Sequence, residues 1–328
     1  MSVIQRASLS DVGRKRRANQ DSCGEYPAAG DAVLLVCCDG MGGHQGGEVA
    51  SQIAVETIGS EFDPADPAAS LGRAFQSAHA RVQARAAETP ELHGMGTTGV
   101  ALYYDGDGRA FIAHVGDSRC YRARDGKIEQ LTADHSIVAE LLRAGRLTPE
   151  AAASQKHNEL SRAIGASPQL SVDCAEHDAR DGDRFLLCSD GLWNLVEADE
   201  IAAEILREAP ERAVRRLVDL ANERGGTDNV TVQVLGIGAA TAPAAEEDDT
   251  EGASHAREAI ARARARKRAD ETRVAGPDEV PAEAIWQRAQ AAARERRDRR
   301  IRAALLGGGA AALALALLLL FVLLKRDA

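Results

Sequence analysis

A chain of 328 residues with 45% hydrophobic residues can bury a sizeable core in one large domain with extras or in two domains, but at 3% aromatics Ala, Leu and Val must do most of the packing. The net charge of -10 hides an uneven split: residues 1–238 carry 24 Lys and Arg against 36 Asp and Glu, whereas 239–302 carry 14 against 13. The acidic first part lacks the basic footprint that a phosphate backbone needs, which argues against nucleic acid as its partner.

In chain order, the first 21 residues are polar and charged and do not resemble a signal peptide. Residues 33–38 are a continuous apolar run of strand length that stops at Asp39. Helical periods near 3.6 follow over 48–59, where Val49, Ile53 and Ile58 recur at helix-like spacing, and over 68–87. Segments 98–104 and 109–115 flank Asp105-Gly106-Asp107-Gly108, which predicts a β-hairpin. A helix is expected over 136–144, then a polar stretch between Gly145 and Gly165 with the character of a surface flap. Residues 184–188 read as a short buried strand, 199–208 and 210–224 as helices, and 229–237 as a final strand carrying Val230, Val232, Val234, Leu235 and Ile237. Hairpins and separate helices without βαβ alternation point to an antiparallel α+β layered fold. Six cysteines without a CxxC pair, three of them (Cys37, Cys38, Cys188) inside apolar runs, read as reduced buried thiols of a cytosolic domain.

Composition changes at Gly238. Residues 239–253 form an acidic linker around Glu246-Glu247-Asp248-Asp249, 256–273 an Ala/Arg-rich solvated helix, and 281–302 a helix that begins near Pro281. Residues 303–324 contain neither charge nor proline. As a helix they would be about 33 Å long against a hydrocarbon core of about 30 Å, which predicts a transmembrane span. Six arginines between Arg294 and Arg302 precede it and only residues 325–328 follow. The positive-inside rule then predicts a single-pass C-terminal anchor with the N-terminal domain in the cytoplasm.

Short aspartate motifs stand beside the apolar runs: Asn19-Gln20-Asp21, Cys38-Asp39-Gly40-Met41-Gly42-Gly43-His44, Val115-Gly116-Asp117-Ser118-Arg119, Ser189-Asp190-Gly191-Leu192-Trp193 and Thr227-Asp228-Asn229-Val230-Thr231. Carboxylates delivered by separate strand ends suit a hard divalent cation with oxygen ligands. Glycine at position 40 lets the backbone approach closely, so its carbonyl is itself a candidate ligand. Two such ions about 3.5–4 Å apart would lower the pKa of a shared water and make it a nucleophile for phosphorus. Arg16, five residues before Asp21, is placed to clamp phosphate oxygens.

Together with Gly13-Arg14-Lys15-Arg16-Arg17 and Ser161-Arg162-Ala163-Ile164-Gly165, these motifs in this order resemble the metal-dependent 2C-type serine/threonine protein phosphatases, most closely the bacterial branch, over roughly residues 4–238. The resemblance implies a four-layer α-β-β-α sandwich of two antiparallel sheets flanked by helices, to which the C-terminal transmembrane helix would be added. It implies hydrolysis of phosphoserine and phosphothreonine in cytoplasmic proteins with two Mn2+ or Mg2+ ions and a place for a third. Asp39 would bridge both ions, with the Gly40 carbonyl on one and Asp190 and Asp228 on the other. Asp117 with Asp190 would hold the third, weaker ion. Arg16 would bind the substrate phosphate, and Asp21 would hold metal-bound water from outside the ligand set. Gln20 stands where many relatives have Glu, which removes one nearby charge and implies weaker metal binding. Two proton donors stay open, His44 and a metal-bound water, because Met41 occupies the position of the eukaryotic histidine. His114, inside an apolar strand, is expected in the core, while Arg162 either orients substrate or pins the flap. The implied partners are phosphorylated Ser/Thr proteins and a cognate Ser/Thr kinase or its substrates. A tethered adaptor that binds phosphoproteins without hydrolysis is the alternative, and the retained Asp39, Asp190 and Asp228 speak against it.

Overall fold

The apolar run before Asp39 becomes β3 (Val33–Met41), and its surroundings explain why it lacks polar residues. Leu34, Val36 and Cys38 enter one core cluster, while Val33, Leu35 and Cys37 enter another. A strand buried on both faces shows unbroken hydrophobicity instead of alternation. The computed structural model describes residues 4–42, 45–148, 151–152 and 159–238, all within the unit Met1–Glu247. The expected linker, juxtamembrane helix and transmembrane span lie outside the described residues.

Among the described residues the strands form two antiparallel sheets. One has the order β1 (Ile4–Asp11), β11 (Val230–Ile237), β10 (Arg184–Cys188), β7 (Arg119–Arg124) and β8 (Lys127–Gln130). The other runs β2 (Asp21–Pro27), β3, β5 (Gly99–Tyr104), β6 (Arg109–Val115) and β9 (Asp173–Asp178), with the short β4 (Gly96–Thr97) paired to β3. Their facing sides share a core that includes Leu35, Leu102, Ile112, Phe185, Leu187 and Leu235. Helices α1 (Gly46–Glu61) and α2 (Pro67–Glu88) cover the outer face of the second sheet through Ala54, Ile58, Leu71 and Phe75. Below, α3 is Ile137–Arg143 and α4 the single turn Asp190–Trp193. Helices α5 (Ala198–Arg207) and α6 (Pro210–Glu223) cover the first sheet through Ile201, Ile205, Val214 and Leu217. The result is the α-β-β-α sandwich that the motifs implied. The described cysteines are all unpaired, and Cys37, Cys38, Cys120 and Cys188 are buried.

Register brings the chemistry to one edge. Asp21 on β2 lies directly opposite Asp39 on β3. Cys188, the last residue of β10, is opposite both Val232 of β11 and Arg119 of β7. The segments after β3 and β10 and before β7 and β11 therefore leave their sheets at the same rim.

Candidate active site

Asp39, Asp117, Asp190 and Asp228 line a single cleft of about 220 Å³ together with Arg16, Gln20, Gly40, Met41, Gly42, Thr98, Leu160 and Asn229. Two glycines permit this closeness. A Cβ on Gly40 would collide with the carbonyls of Gly47 and Gln20, and one on Gly191 would collide with the Asn229 carbonyl. The α4 turn can thus press against the strand that begins after Asp228, and Asp190 comes beside Asp228. Asp39 is held by its backbone: its N–H donates to Thr98 Oγ1 at 2.9 Å, and its carbonyl accepts from Thr97 Oγ1 at 2.8 Å and from the Thr98 N–H at 2.9 Å. The Asn229 side chain accepts from the Gln20 N–H at 2.8 Å and donates to the Val12 and Ala18 carbonyls at 2.9 and 3.0 Å. One amide thereby ties the turn carrying Arg16 to the Asp228 loop.

The cleft is electrostatically unfinished. Asp39 and Asp190 stand within hydrogen-bonding reach of each other. Two carboxylates share that position only with a proton or a cation between them. Burial, and then Asp21 and Asp190, hold the Asp39 carboxyl well above the ordinary range. Burial and neighbouring Asp228 push Asp190 up to about 6. Burial, helped by Asp190, pushes Asp117 up to about 7. Arg16 donates from Nη2 to Asp228 Oδ2 at 2.7 Å, and this carboxylate raises the guanidinium pKa further. The Arg16 side chain remains 51% exposed, which leaves donors to offer to a ligand.

Asp21 is buried behind the cleft. Its Oδ2 accepts from Ser189 Oγ and Thr231 Oγ1, both at 2.7 Å, while Oδ1 has no hydrogen-bond partner. Burial dominates over the two hydroxyl donors and lifts this carboxyl to about 7. Asp190 Oδ1 is likewise buried without a partner. Orphaned carboxylate oxygens beside further acidic groups are costly in a folded protein unless a cation completes them. The oxygen-only donor set of Asp39, Asp190, Asp228, Asp117 and the Gly40 carbonyl fits Mn2+ or Mg2+.

Several supporting residues escaped the sequence reading. Trp193 Nε1 donates to the Asp117 carbonyl at 3.0 Å, and the Arg119 guanidinium lies 3.6 Å from the Trp193 ring centroid. Asp134 grips Arg119 with two bonds of 2.9 and 2.7 Å. Arg119, Ser189, Trp193, Thr231 and Asn229 lie in motifs that the sequence reading did single out, but nothing in their spacing told which partner each would hold. His44, the candidate proton donor, lies outside the described residues. Gln20 lines the cleft, its carbonyl accepting from the Gly40 N–H at 3.1 Å and from Ser51 Oγ at 2.6 Å. From the flap side, Leu160 reaches the cleft, whereas Arg162 donates to Asp173 at 2.7 Å.

His114, His135 and Asp173 also offer metal-ligand atoms within 4.8 Å of one another. Their arrangement is that of a hydrogen-bonded support. The two imidazoles stack with centroids 4.6 Å apart and planes 22° apart, and near-parallel stacked rings do not aim in-plane lone pairs at one ion. His135 Nδ1 accepts from the Gly116 N–H at 3.2 Å, which assigns its proton to Nε2, facing Asp173 at 3.2 Å. Burial, with His114 and Arg162 nearby, lowers the His135 pKa to about 4 and keeps the ring neutral. His114 is buried, as its place in an apolar strand implied.

An antiparallel double sheet between helix pairs, with an acidic cleft where the strand ends meet, defines a known class of metal-dependent phosphatases. The protein phosphatase 2C family matches residues 13–225, and the chain belongs to that family, whose members use Mn2+ or Mg2+. It is 39% identical over 241 residues to the serine/threonine protein phosphatase PstP of Mycobacterium tuberculosis, covering 72% of this chain and 45% of PstP, so the match spans less than half of that relative. It is 35% identical over 236 residues to protein phosphatase PhpP of Streptococcus pneumoniae, covering 70% of this chain and 96% of PhpP. The crystal structure of the PstP catalytic domain in complex with two manganese ions superposes with a TM-score of 0.65 at 36% identity, covering 73% of this chain and 100% of that one.

Proposed function

We propose that this chain hydrolyses phosphoserine and phosphothreonine in cytoplasmic proteins with Mn2+ or Mg2+, at a membrane, in opposition to a Ser/Thr kinase. The observation that carries the reading is the meeting of Asp39, Asp190 and Asp228 with Arg16 in one cleft of a protein phosphatase 2C family member. Asp39, the Gly40 carbonyl, Asp190 and Asp228 would hold two ions, and Asp117 with Asp190 a third. Bound there, the ions lower the pKa of water and offset charge building on the phosphoryl oxygens. Arg16 orients the substrate by donating to its phosphate oxygens, and its present bond to Asp228 keeps the guanidinium at the mouth of the cleft. Asp21, fixed by Ser189 and Thr231, would offer its unpartnered Oδ1 as an acceptor to metal-bound water. Gln20 adds no charge beside it. His44 or water supplies the proton to the leaving alkoxide.

The test is turnover of p-nitrophenyl phosphate by the full chain with Mn2+, with and without EDTA. Turnover that EDTA abolishes is expected, and a folded chain that binds phosphopeptides without turnover would make it an adaptor. The membrane part rests on the uncharged stretch 303–324 and the arginines before it. Full-length protein recovered in the soluble fraction of cells would contradict the anchor. Deleting 303–328 is expected to release an active enzyme, since tethering concentrates an enzyme near its targets and leaves its chemistry alone.

A further inference from the structure

The turn between β1 and β2 carries four consecutive cations, Arg14, Lys15, Arg16 and Arg17, within a strongly acidic domain. Its backbone is fixed. Gly13 takes a φ of +77° and donates its N–H to Asp11 Oδ1 at 2.8 Å. The Arg14 and Lys15 N–H groups both donate to the Gly226 carbonyl, at 2.8 and 3.1 Å. Asn229 holds the carbonyls of Val12 and Ala18 on either side.

Of the four side chains, Arg16 turns into the cleft and pairs with Asp228. Arg14, Lys15 and Arg17 are exposed, and among the described residues no carboxylate oxygen lies within 4.0 Å of their charged atoms. Arg81, Arg119, Arg124 and Arg224 are neutralised by Glu61, Asp134, Asp183 and Glu200, whereas Arg215 and Arg216 on α6 also have no carboxylate within 4.0 Å among the described residues. What sets this turn apart is that its three such cations flank Arg16 of the cleft. Three adjacent cations left unpaired at the rim of an acidic cleft offer themselves to an anion from outside the protein.

We propose that Arg14, Lys15 and Arg17 form a subsite for acidic side chains flanking the phosphorylated residue, which makes the chain selective for phosphoproteins with Asp or Glu near the phosphosite. The inference rests on the phosphatase reading of the cleft. A peptide whose phosphate is held by Arg16 must pass over the neighbours of Arg16 in the same turn. Extended chain advances about 3.3–3.6 Å per residue, so carboxylates two or three positions away reach about 7–11 Å from the anchored residue, within the span of this turn. Single exposed ion pairs are weak, but a prearranged trio whose backbone is already fixed selects among substrates. Anionic lipid headgroups carry the same charge, but a phosphopeptide seated beside Arg16 brings its own flanking carboxylates to the turn.

The test compares the full chain with the triple variant Arg14→Gln/Lys15→Gln/Arg17→Gln. The substrates are three phosphothreonine peptides of identical core flanked by Glu, Ala or Lys, with p-nitrophenyl phosphate alongside. At low salt the unmodified chain should favour the Glu-flanked over the Lys-flanked peptide roughly tenfold in kcat/KM, mainly through KM, and the preference should shrink as salt screens it. The triple variant should lose the preference while its p-nitrophenyl phosphate turnover stays within about twofold, as expected of side chains outside the ligand set. Equal rates on all three peptides by the unmodified chain, or an undiminished preference in the variant, would overturn the proposal. So would a variant that loses only binding to phosphatidylserine vesicles. Absence of p-nitrophenyl phosphate turnover by the unmodified chain is a different failure, because it removes the phosphatase reading itself.

Discussion

Two clusters of polar side chains flank the Gly116-Asp117 turn, and they are assembled in opposite ways. On the cleft side, Asp39, Asp190 and Asp228 crowd against each other, and Asp190 Oδ1 and the nearby Asp21 Oδ1 lack hydrogen-bond partners. On the far side, His135 accepts from Gly116, faces Asp173 and stacks on His114, while Arg162 neutralises Asp173. Hidden carboxyls without partners raise the free energy of the fold, so their concentration at one rim marks a place that a cation completes. A cluster in which each group has its partner orders a loop and asks for no ligand. Residue type alone would have favoured the histidines as a metal site, but satisfaction of hydrogen bonds points to the aspartates.

The largest expected effect is on the cleft side. Asp190→Ala should lower Mn2+-dependent turnover of p-nitrophenyl phosphate by about 10²–10⁴-fold, with circular dichroism showing retained fold, because several kcal/mol of charge stabilisation depend on the ligand set. Unchanged turnover in a folded variant would end the contrast. His135→Ala should act mainly on stability, losing about 2–4 kcal/mol in urea unfolding through lost packing and an unpaired Gly116 N–H. If the histidines held a functional metal instead, that variant would lose activity before stability. Arg16→Ala should cost about 10–100-fold in kcat/KM, the weight of a charge-assisted hydrogen bond to phosphate.

The smallest effect is a slope with pH. The carboxyls of Asp21, Asp117 and Asp190 are pushed up to about 7, 7 and 6 in the ion-free protein. Folded pKa values raised above the unfolded range mean that the folded state holds more protons, so stability falls as pH rises through them. Lowered values at His114 and His135 act in the opposite direction below about pH 6.5, the ordinary histidine pKa. In EDTA the melting temperature should therefore fall between about pH 6.5 and 8, and saturating Mn2+ should remove the slope. A melting temperature in EDTA that rises over this range would show that the cleft carboxyls are not strained as the geometry implies.

Legibility followed burial. Strands β3, β10 and β11 stood out because both faces are buried, and the helices because one face is. By contrast β1, β2, β7, β8 and β9 went unread. Each carries polar residues on partly exposed positions, as in the Asp-Cys-Ala-Glu-His-Asp run of β9, so neither an unbroken apolar run nor clean alternation appears. The aspartates of the cleft were legible because each stands beside an apolar run or a tight glycine turn.

The sequence by itself determined the layered fold and singled out the aspartates and the Arg16 that share one cleft, because hydrophobic periodicity and glycine-flanked aspartates are local signals. Only the tertiary structure decided which groups those aspartates meet. Ser189 and Thr231 lie 168 and 210 positions from the Asp21 that they hold, and Trp193 lies 76 from the Asp117 carbonyl. The structure also decided that His135 is a support and that three cations of the β1–β2 turn have no carboxylate partner among the described residues. A hydrogen bond leaves no periodic trace along the chain, and its partner is fixed when packed sheets bring distant loops to one edge.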